Sequence, residues 1–161
     1  MRVLVSDANI LIDIEKGQLT EPMFRLPFEF ATPDMLFHDE LAECHGHLVE
    51  RGLQCRPLDG ETLQQVVALT ACYGRVSRYD CMALALAIRE ACPLLTGDAA
   101  LRKAAAAEKI AVHGTLWLVE AMVAEGIVSV PKALKAYDRM ERAGSRLPWD
   151  RARARLRDMK H

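Results

Sequence analysis

Two acidic residues follow short apolar segments that are typical of buried β-strands. Asp7 comes directly after Arg2–Ser6 (RVLVS), and Asp98 follows Leu94–Thr96 across a single glycine. Ligands of parallel α/β sheets bind at the carboxyl ends of the strands, so both carboxylates are expected at that edge. If the two strands are neighbours, the carboxylates converge, and two ionised carboxylates ~4 Å apart repel by ~4 kcal/mol at an effective dielectric constant of ~20. A divalent cation would remove that repulsion, and oxygen-only ligands favour Mg²⁺ or Mn²⁺.

Two further acidic residues lie on predicted helices that could flank the same edge. Asp80 stands in the first turn of the predicted helix Arg78–Ala91. The middle of that helix, CMALALAI, is apolar on every side and therefore predicts a buried helix. Glu40 lies between Phe37 and Cys44, at one edge of the apolar face of another predicted helix. Two acids at strand ends and two on flanking helices together favour a metal site.

Each of these acids also has a purely structural interpretation. Asp7 and Asp98 both precede a predicted helix, where an aspartate commonly caps the first turn. Asp80 is three residues after Ser77, which resembles a capping box. Glu40, which is close to two other acids, could be a solvated helix residue.

The elements that would position these acids alternate between strand and helix. This pattern predicts a three-layer α/β/α sandwich with a mainly parallel central sheet. The predicted strands are Arg2–Ser6, Glu29–Thr32, Leu53–Leu58, Leu94–Thr96 and Ile110–His113. The predicted helices are Ala8–Ile14, Pro33–Arg51 with Thr32 as its cap, Glu61–Tyr73, Arg78–Ala91, Ala99–Glu108, Thr115–Ala124, Pro131–Arg142 and Trp149–Met159. The segment Gly17–Pro27 is predicted to be irregular because it contains two prolines.

Composition and charge describe a single globular domain with a basic end. The chain has 161 residues, which suits one core, and residues 1–143 are predicted to form it. Residues 1–60 carry a net charge of −6, whereas residues 139–161 carry +5, so residues 144–161 are predicted to be a basic helical tail on the same domain. Five cysteines without metal-binding spacing predict reduced thiols and a cytoplasmic location. No apolar run approaches the ~20 residues that a membrane span requires.

Four segments carrying these acids resemble, in order, the motifs of the PIN-domain family. VSDANILIDI is similar to the opening of a PIN domain, ATPDMLFHDELAE to its second element, SRYDCMALALA to its third and LLTGDAALRKAA to its fourth. The resemblance covers roughly residues 2–115, and the following segment is similar to the C-terminal part of bacterial and archaeal PIN proteins.

The resemblance implies a metal-dependent ribonuclease that uses Mg²⁺ or Mn²⁺ and leaves 5′-phosphate and 3′-hydroxyl ends. The implied catalytic and metal-binding acids are Asp7, Glu40, Asp80 and Asp98. Of these, Glu40 would complete the coordination of the principal ion or bind a second one. Neighbouring polar residues that could orient carboxylates or waters are Ser6, Asn9 and Thr96.

Partners are predicted from charge and from the same resemblance. Basic residues beside the acidic motifs are candidates for RNA phosphate contacts: Arg75, Arg78, Arg102 and Lys103. The alternating arginines of the tail, from Arg151 to Arg157, fit a solvated or partner-bound helix at least as well as an RNA clamp. The short single-domain length resembles VapC-like toxins, which implies a cognate antitoxin protein and a homodimer.

Two other functions are compatible with parts of the sequence. A haloacid-dehalogenase-type phosphatase also has an aspartate after the first strand, but it needs a second aspartate where this chain has Asn9. It also needs an acid soon after Asp98, and Ala99–Arg102 contains none. A catalytically silent PIN-like module that binds proteins would not need four acids, although it could retain them.

Overall fold

Five parallel strands form the central sheet of the computed structural model, which describes residues 1–159. The strands are β1 (Arg2–Ser6), β2 (Phe28–Pro33), β3 (Gln54–Arg56), β4 (Leu94–Leu95) and β5 (Val112–His113). Their order across the sheet is β3-β2-β1-β4-β5, and every neighbouring pair is parallel. All five predicted strands are therefore present, with small differences at their ends.

Helices flank this sheet, and the predicted α/β fold is confirmed. They are α1 (Ala8–Lys16), α2 (Thr20–Phe24), α3 (Asp34–Leu36), α4 (Ala42–His45), α5 (Leu48–Arg51), α6 (Gly60–Cys72), α7 (Arg78–Glu90), α8 (Ala99–Ala107), α9 (Thr115–Ala124), α10 (Val130–Arg142) and α11 (Trp149–Asp158). A π-helical turn, Phe37–Leu41, joins α3 to α4. The predicted buried helix is α7, in which every residue from Cys81 to Ala87 is buried.

The register of the central strands sets the position of the residues that follow them. In β1, Val5 pairs with Leu94 and Ser6 pairs with Leu95 of β4. The backbone N–H of Asp7 continues this ladder by donating to the carbonyl of Leu95 over 3.1 Å. Asp7 and the residue after Leu95 therefore leave the sheet side by side. The strands that precede Asp7 and Asp98 are thus neighbours, which is the condition for their carboxylates to converge.

The predicted helix Pro33–Arg51 is wrong at its start and in its continuity. Pro33 is the last residue of β2, and Thr32 does not cap a helix, because its hydroxyl donates to the Ser6 carbonyl over 3.1 Å. Thr32 also pairs with a residue of β3, so tertiary strand pairing overrides the local Thr-Pro signal. After Asp34 the segment is divided by the π-helical turn and by a break at Gly46.

The segment Gly17–Pro27, which was predicted to be irregular, contains the helix α2. Pro22 lies in the first turn of that helix, where a backbone N–H has no intrahelical acceptor and a proline therefore loses no hydrogen bond. The side chains of Pro22 and Met23 are buried, so packing stabilises a helix that local propensity does not predict.

The C-terminal helix packs against the preceding one. Trp149 is buried beside Tyr137, with ring centroids 5.5 Å apart, and Ala152 and Leu156 are fully buried. The last two residues of the predicted tail, Lys160 and His161, lie outside the described residues. None of the described helices combines the length and the apolar character that crossing a bilayer demands.

Candidate active site

The carboxyl ends of β1 and β4 are joined by the side chain of Thr96. Its hydroxyl donates to Oδ2 of Asp7 over 2.5 Å, and its oxygen accepts the backbone N–H of Asp98 over 3.1 Å. Thr96 is 1% exposed, so these contacts are shielded from water. Thr96 therefore couples the acid after β1 to the acid after β4.

Asp7 is the most deeply buried of the four predicted acids, at 2% exposure. Its Oδ1 accepts the backbone N–H of Ile10 over 3.0 Å and so caps α1. Burial raises the pKa of Asp7 from 3.8 to about 6, against the lowering effect of the hydrogen bonds from Thr96 and Ile10. The negative charges of Asp80 and Asp13 raise this pKa further. Asp7 is thus a buried carboxylate in an environment that disfavours its charge.

Asp80 and Glu40 belong to two further elements and share this acidic environment. Asp80 lies half-buried in the first turn of α7, where burial and then the charge of Asp98 raise its pKa. Glu40 lies in the π-helical turn, where partial burial and then the charges of Asp80 and Asp39 raise its pKa. Asp80 therefore interacts electrostatically with Asp7, Asp98 and Glu40, which form one acidic group around it.

Asp98 is exposed and caps α8, because its Oδ2 accepts the backbone N–H of Leu101 over 2.8 Å. The capping interpretations of Asp7 and Asp98 are therefore correct as far as one oxygen of each carboxylate is concerned. Within residues 1–159, no three His, Cys, Asp or Glu side chains are arranged closely enough to share one metal ion.

The other polar residues predicted near the acids occupy different positions. Ser6 donates its hydroxyl to the carbonyl of Asp7 over 2.8 Å and forms no hydrogen bond with a carboxylate of residues 1–159. Asn9 is exposed on the first turn of α1, and it lines a cleft together with Asp98. Of the three, Thr96 is the one whose hydroxyl donates to a carboxylate of the acidic group.

Asp13 is a member of this region that the sequence interpretation missed. It raises the pKa of Asp7, and its own carboxylate accepts the hydroxyls of Ser145 over 2.7 Å and Thr115 over 3.3 Å. A signal was available, because Asp13 follows Asn9 by four residues and therefore shares its face of α1.

The four predicted RNA-contact residues have different surroundings. Arg102 lines the cleft beside Asp98, whereas Arg75 and Lys103 line a different, smaller hollow. The guanidinium of Arg78 lies 5.6 Å from the ring centroid of Tyr79, and the Tyr79 hydroxyl donates to Asp39. Arg102 therefore lies beside one of the proposed acids, and the RNA contacts of all four residues stay predictions.

A family model described as a PIN domain matches residues 3–161. The match includes all four acids and extends through α11, beyond the part of the chain over which the four motifs were recognised. No curated protein sequence matches the chain.

Proposed function

The chain belongs to the PIN-domain family, and from that premise we propose that it is a metal-dependent endoribonuclease that hydrolyses RNA phosphodiester bonds. PIN domains are generally nucleases, and the fold described above is of that type. The observation that carries the proposal is the charge interaction of Asp80 with each of Asp7, Glu40 and Asp98, which come from three other elements. The phosphatase alternative loses its support, because the family match spans nearly the whole chain.

The chemistry of the donor set fits Mg²⁺ or Mn²⁺. All four proposed ligands are carboxylates, and the charge of Asp80 repels those of the other three. Hard divalent ions prefer such oxygen ligands. Asp7, Asp80 and Asp98 would hold the principal ion, and Glu40 would complete its coordination or bind a second ion. Because Glu40 and Asp98 are exposed, their side chains can rotate toward an ion without any change in the core.

A bound ion would supply a water of lowered pKa and would neutralise charge that develops on the phosphate. The chain's own contribution is the placement of its carboxylates. The Thr96 hydroxyl and the Ile10 N–H hold the two oxygens of Asp7 in fixed directions. Asp80 lies on a helix whose following seven residues are buried, so its backbone is equally constrained. Such constraint reduces the reorganisation that the reaction requires.

The test of this proposal is cleavage of structured and single-stranded RNAs in Mg²⁺, in Mn²⁺ and in EDTA. We expect cleavage with either ion and none in EDTA. Glu40→Gln should reduce the rate by about tenfold or more, since it removes one charge from the proposed ligands. Glu43→Gln is the matched control, because Glu43 is an exposed acid three residues away, and it should cleave at the wild-type rate. Cleavage that persists in EDTA would contradict the mechanism, and a chain that neither cleaves RNA nor binds either ion would favour the protein-binding alternative.

We further propose that the chain is the VapC-like toxin of a toxin–antitoxin pair and that it forms a homodimer. The support is the family assignment together with the resemblance to VapC-like toxins. Expression without an antitoxin should arrest growth of a bacterial host, and the same chain carrying Glu40→Gln should arrest it less. Light scattering should give the mass of a dimer. A chain that cleaves RNA yet leaves growth unchanged would contradict the toxin role and leave the ribonuclease proposal intact.

A further inference from the structure

A cleft of about 850 Å³ opens beside Asp98. Three arginines from separate parts of the chain line it: Arg102 on α8, Arg146 in the loop between α10 and α11, and Arg151 on α11. We propose that these arginines form a phosphate-binding subsite that holds the backbone of single-stranded RNA beside the acidic group. The proposal rests on the proposed ribonuclease function and extends it to the C-terminal segment.

The arginines that line the cleft differ from the other arginines of α11 in their ion pairs. Arg153 forms an ion pair with Asp138 at 3.0 Å, and Arg155 forms one with Glu120 at 2.8 Å. Among the described residues, Arg102, Arg146 and Arg151 form no ion pair, and all three are exposed. The cleft arginines therefore retain their full capacity to bind an anion, and guanidinium groups bind phosphate with paired hydrogen bonds.

Among the described residues, the acids of the cleft form no ion pair with these arginines and direct their oxygens elsewhere. Both oxygens of Asp13 accept hydroxyl hydrogen bonds, from Ser145 and from Thr115. Asp98 directs one oxygen to the N-terminus of α8. A cleft with three free guanidinium groups next to an acidic group has the charge arrangement that a phosphodiester substrate needs, because the acids alone would repel the RNA backbone.

The loop that carries Arg146 is fixed to α1, the helix that Asp7 caps. Ser145 donates to Asp13 of α1 over 2.7 Å, and the indole N–H of Trp149 donates to the Ser145 carbonyl over 3.2 Å. Trp149 itself is buried against Tyr137. Arg146 therefore lies between two anchored residues, so its backbone position relative to the acidic group is determined by the fold.

The apolar wall of the cleft favours an unpaired strand over a duplex. It includes Val112, Leu116 and Trp117, and the ring of His113 stacks on Trp117 at a centroid distance of 4.0 Å. Bases of single-stranded RNA are free to contact apolar and aromatic side chains while their phosphates contact arginine. In a duplex the bases are paired and stacked, so this wall would have no comparable partner.

The test measures RNA binding in a chain whose cleavage of the RNA is strongly reduced. In an Asp7→Asn background, a short end-labelled single-stranded RNA is titrated and followed by fluorescence anisotropy at several salt concentrations. Arg146→Gln with Arg151→Gln should weaken binding about tenfold or more at low salt. It should also make the slope of log K against log salt shallower by about 1.4, because two phosphate contacts each contribute ~0.7 for a single strand.

The matched control is Arg142→Gln with Arg157→Gln, which removes the same charge from exposed positions outside the cleft. Equal loss of affinity in both double variants would overturn the subsite, because bulk charge alone would then explain it. Tighter binding of a duplex of the same sequence would overturn the preference for single strands. If the wild-type chain cleaves RNA while the cleft variant binds like the control, the subsite fails and the ribonuclease proposal stands. If the cleft variant alone loses binding and the wild-type chain never cleaves RNA, the subsite stands and the ribonuclease proposal fails.

Discussion

Asp7→Asn is expected to lower the rate of RNA cleavage by at least about 10²-fold while making the metal-free fold more stable at neutral pH. The loss of activity follows from the removal of the buried charge that the proposed metal site uses, and losing one preorganised electrostatic group commonly costs ~10²–10³ in rate. Asparagine keeps the size of the side chain and can still accept the Ile10 N–H as a helix cap. Cleavage assays with Mg²⁺ and circular dichroism measure the two properties separately.

The gain in stability follows from the raised pKa of Asp7. The pKa of Asp7 rises from its ordinary value of 3.8, taken for the unfolded chain, to about 6 in the folded chain, so ionisation of Asp7 opposes folding. This unfavourable contribution is complete above about pH 6 and absent below about pH 4, and one pKa unit corresponds to ~1.4 kcal/mol. Removing the charge of Asp7 can therefore raise the free energy of unfolding by at most about 3 kcal/mol. About 1 kcal/mol of this gain is offset because Thr96 no longer donates to a carboxylate. We expect Asp7→Asn to raise the free energy of unfolding in EDTA by about 1–2 kcal/mol at neutral pH and to give no gain near pH 4.

Asp59→Asn is the control that separates the effect of losing a charge of the acidic group from the effect of changing a helix cap. Asp59 caps α6 with φ −75° and ψ 174°, close to the φ −77° and ψ 175° of Asp7, and it accepts the backbone N–H of Thr62 over 2.8 Å. In contrast to Asp7, its pKa is lowered by hydrogen bonds from Thr62. The variant should keep wild-type cleavage and gain no stability at neutral pH. If both variants lost activity equally, helix capping and not the acidic group would explain the effect.

Local sequence patterns were sufficient to predict most of the elements that carry the acids. The strand before Asp7 is a short β-branched run, and α7 begins at a serine that caps it through the backbone N–H of Asp80. These signals act over a few residues, so they remain readable without the rest of the fold. The position of Asp98 after β4 followed from the same kind of pattern, and parallel pairing of β1 with β4 then made it a neighbour of the first acid.

The parts that sequence reasoning missed depend on contacts between distant segments. Thr32 was interpreted as a helix cap, but its hydroxyl is used by β1, 26 residues earlier. The contact between Asp13 and Ser145 spans 132 residues, and it fixes the loop that brings Arg146 to the cleft. The i, i+2 spacing of the tail arginines gives no preferred helix face. Which of them form ion pairs and which line the cleft depends on the positions of the acids of α9 and α10, which the local sequence does not give.

Thr96→Val should reduce cleavage by about 10–100-fold, the range seen when a residue that orients a metal ligand is replaced. Valine has the shape of threonine but cannot donate to Oδ2 of Asp7 or accept the N–H of Asp98. Since the hydroxyl lowers the pKa of Asp7, its loss should move the acidic limb of the pH–rate profile to higher pH. The two unsatisfied groups should also cost about 1–3 kcal/mol of stability. Thr96→Ser keeps the hydroxyl and should restore most of the rate.

The shift of the pH profile distinguishes positioning of Asp7 from a general loss of stability. Thr62→Val is the matched comparison, because Thr62 is a buried threonine whose side chain lowers the pKa of a capping aspartate, Asp59, outside the acidic group. That variant should lose stability and leave both the rate and the pH profile unchanged. A Thr96→Val chain with a normal pH profile and a reduced rate would mean that Thr96 acts only through folding. A normal rate would mean that the carboxylate of Asp7 is held well enough by the Ile10 N–H alone, and that the coupling between the ends of β1 and β4 is structural.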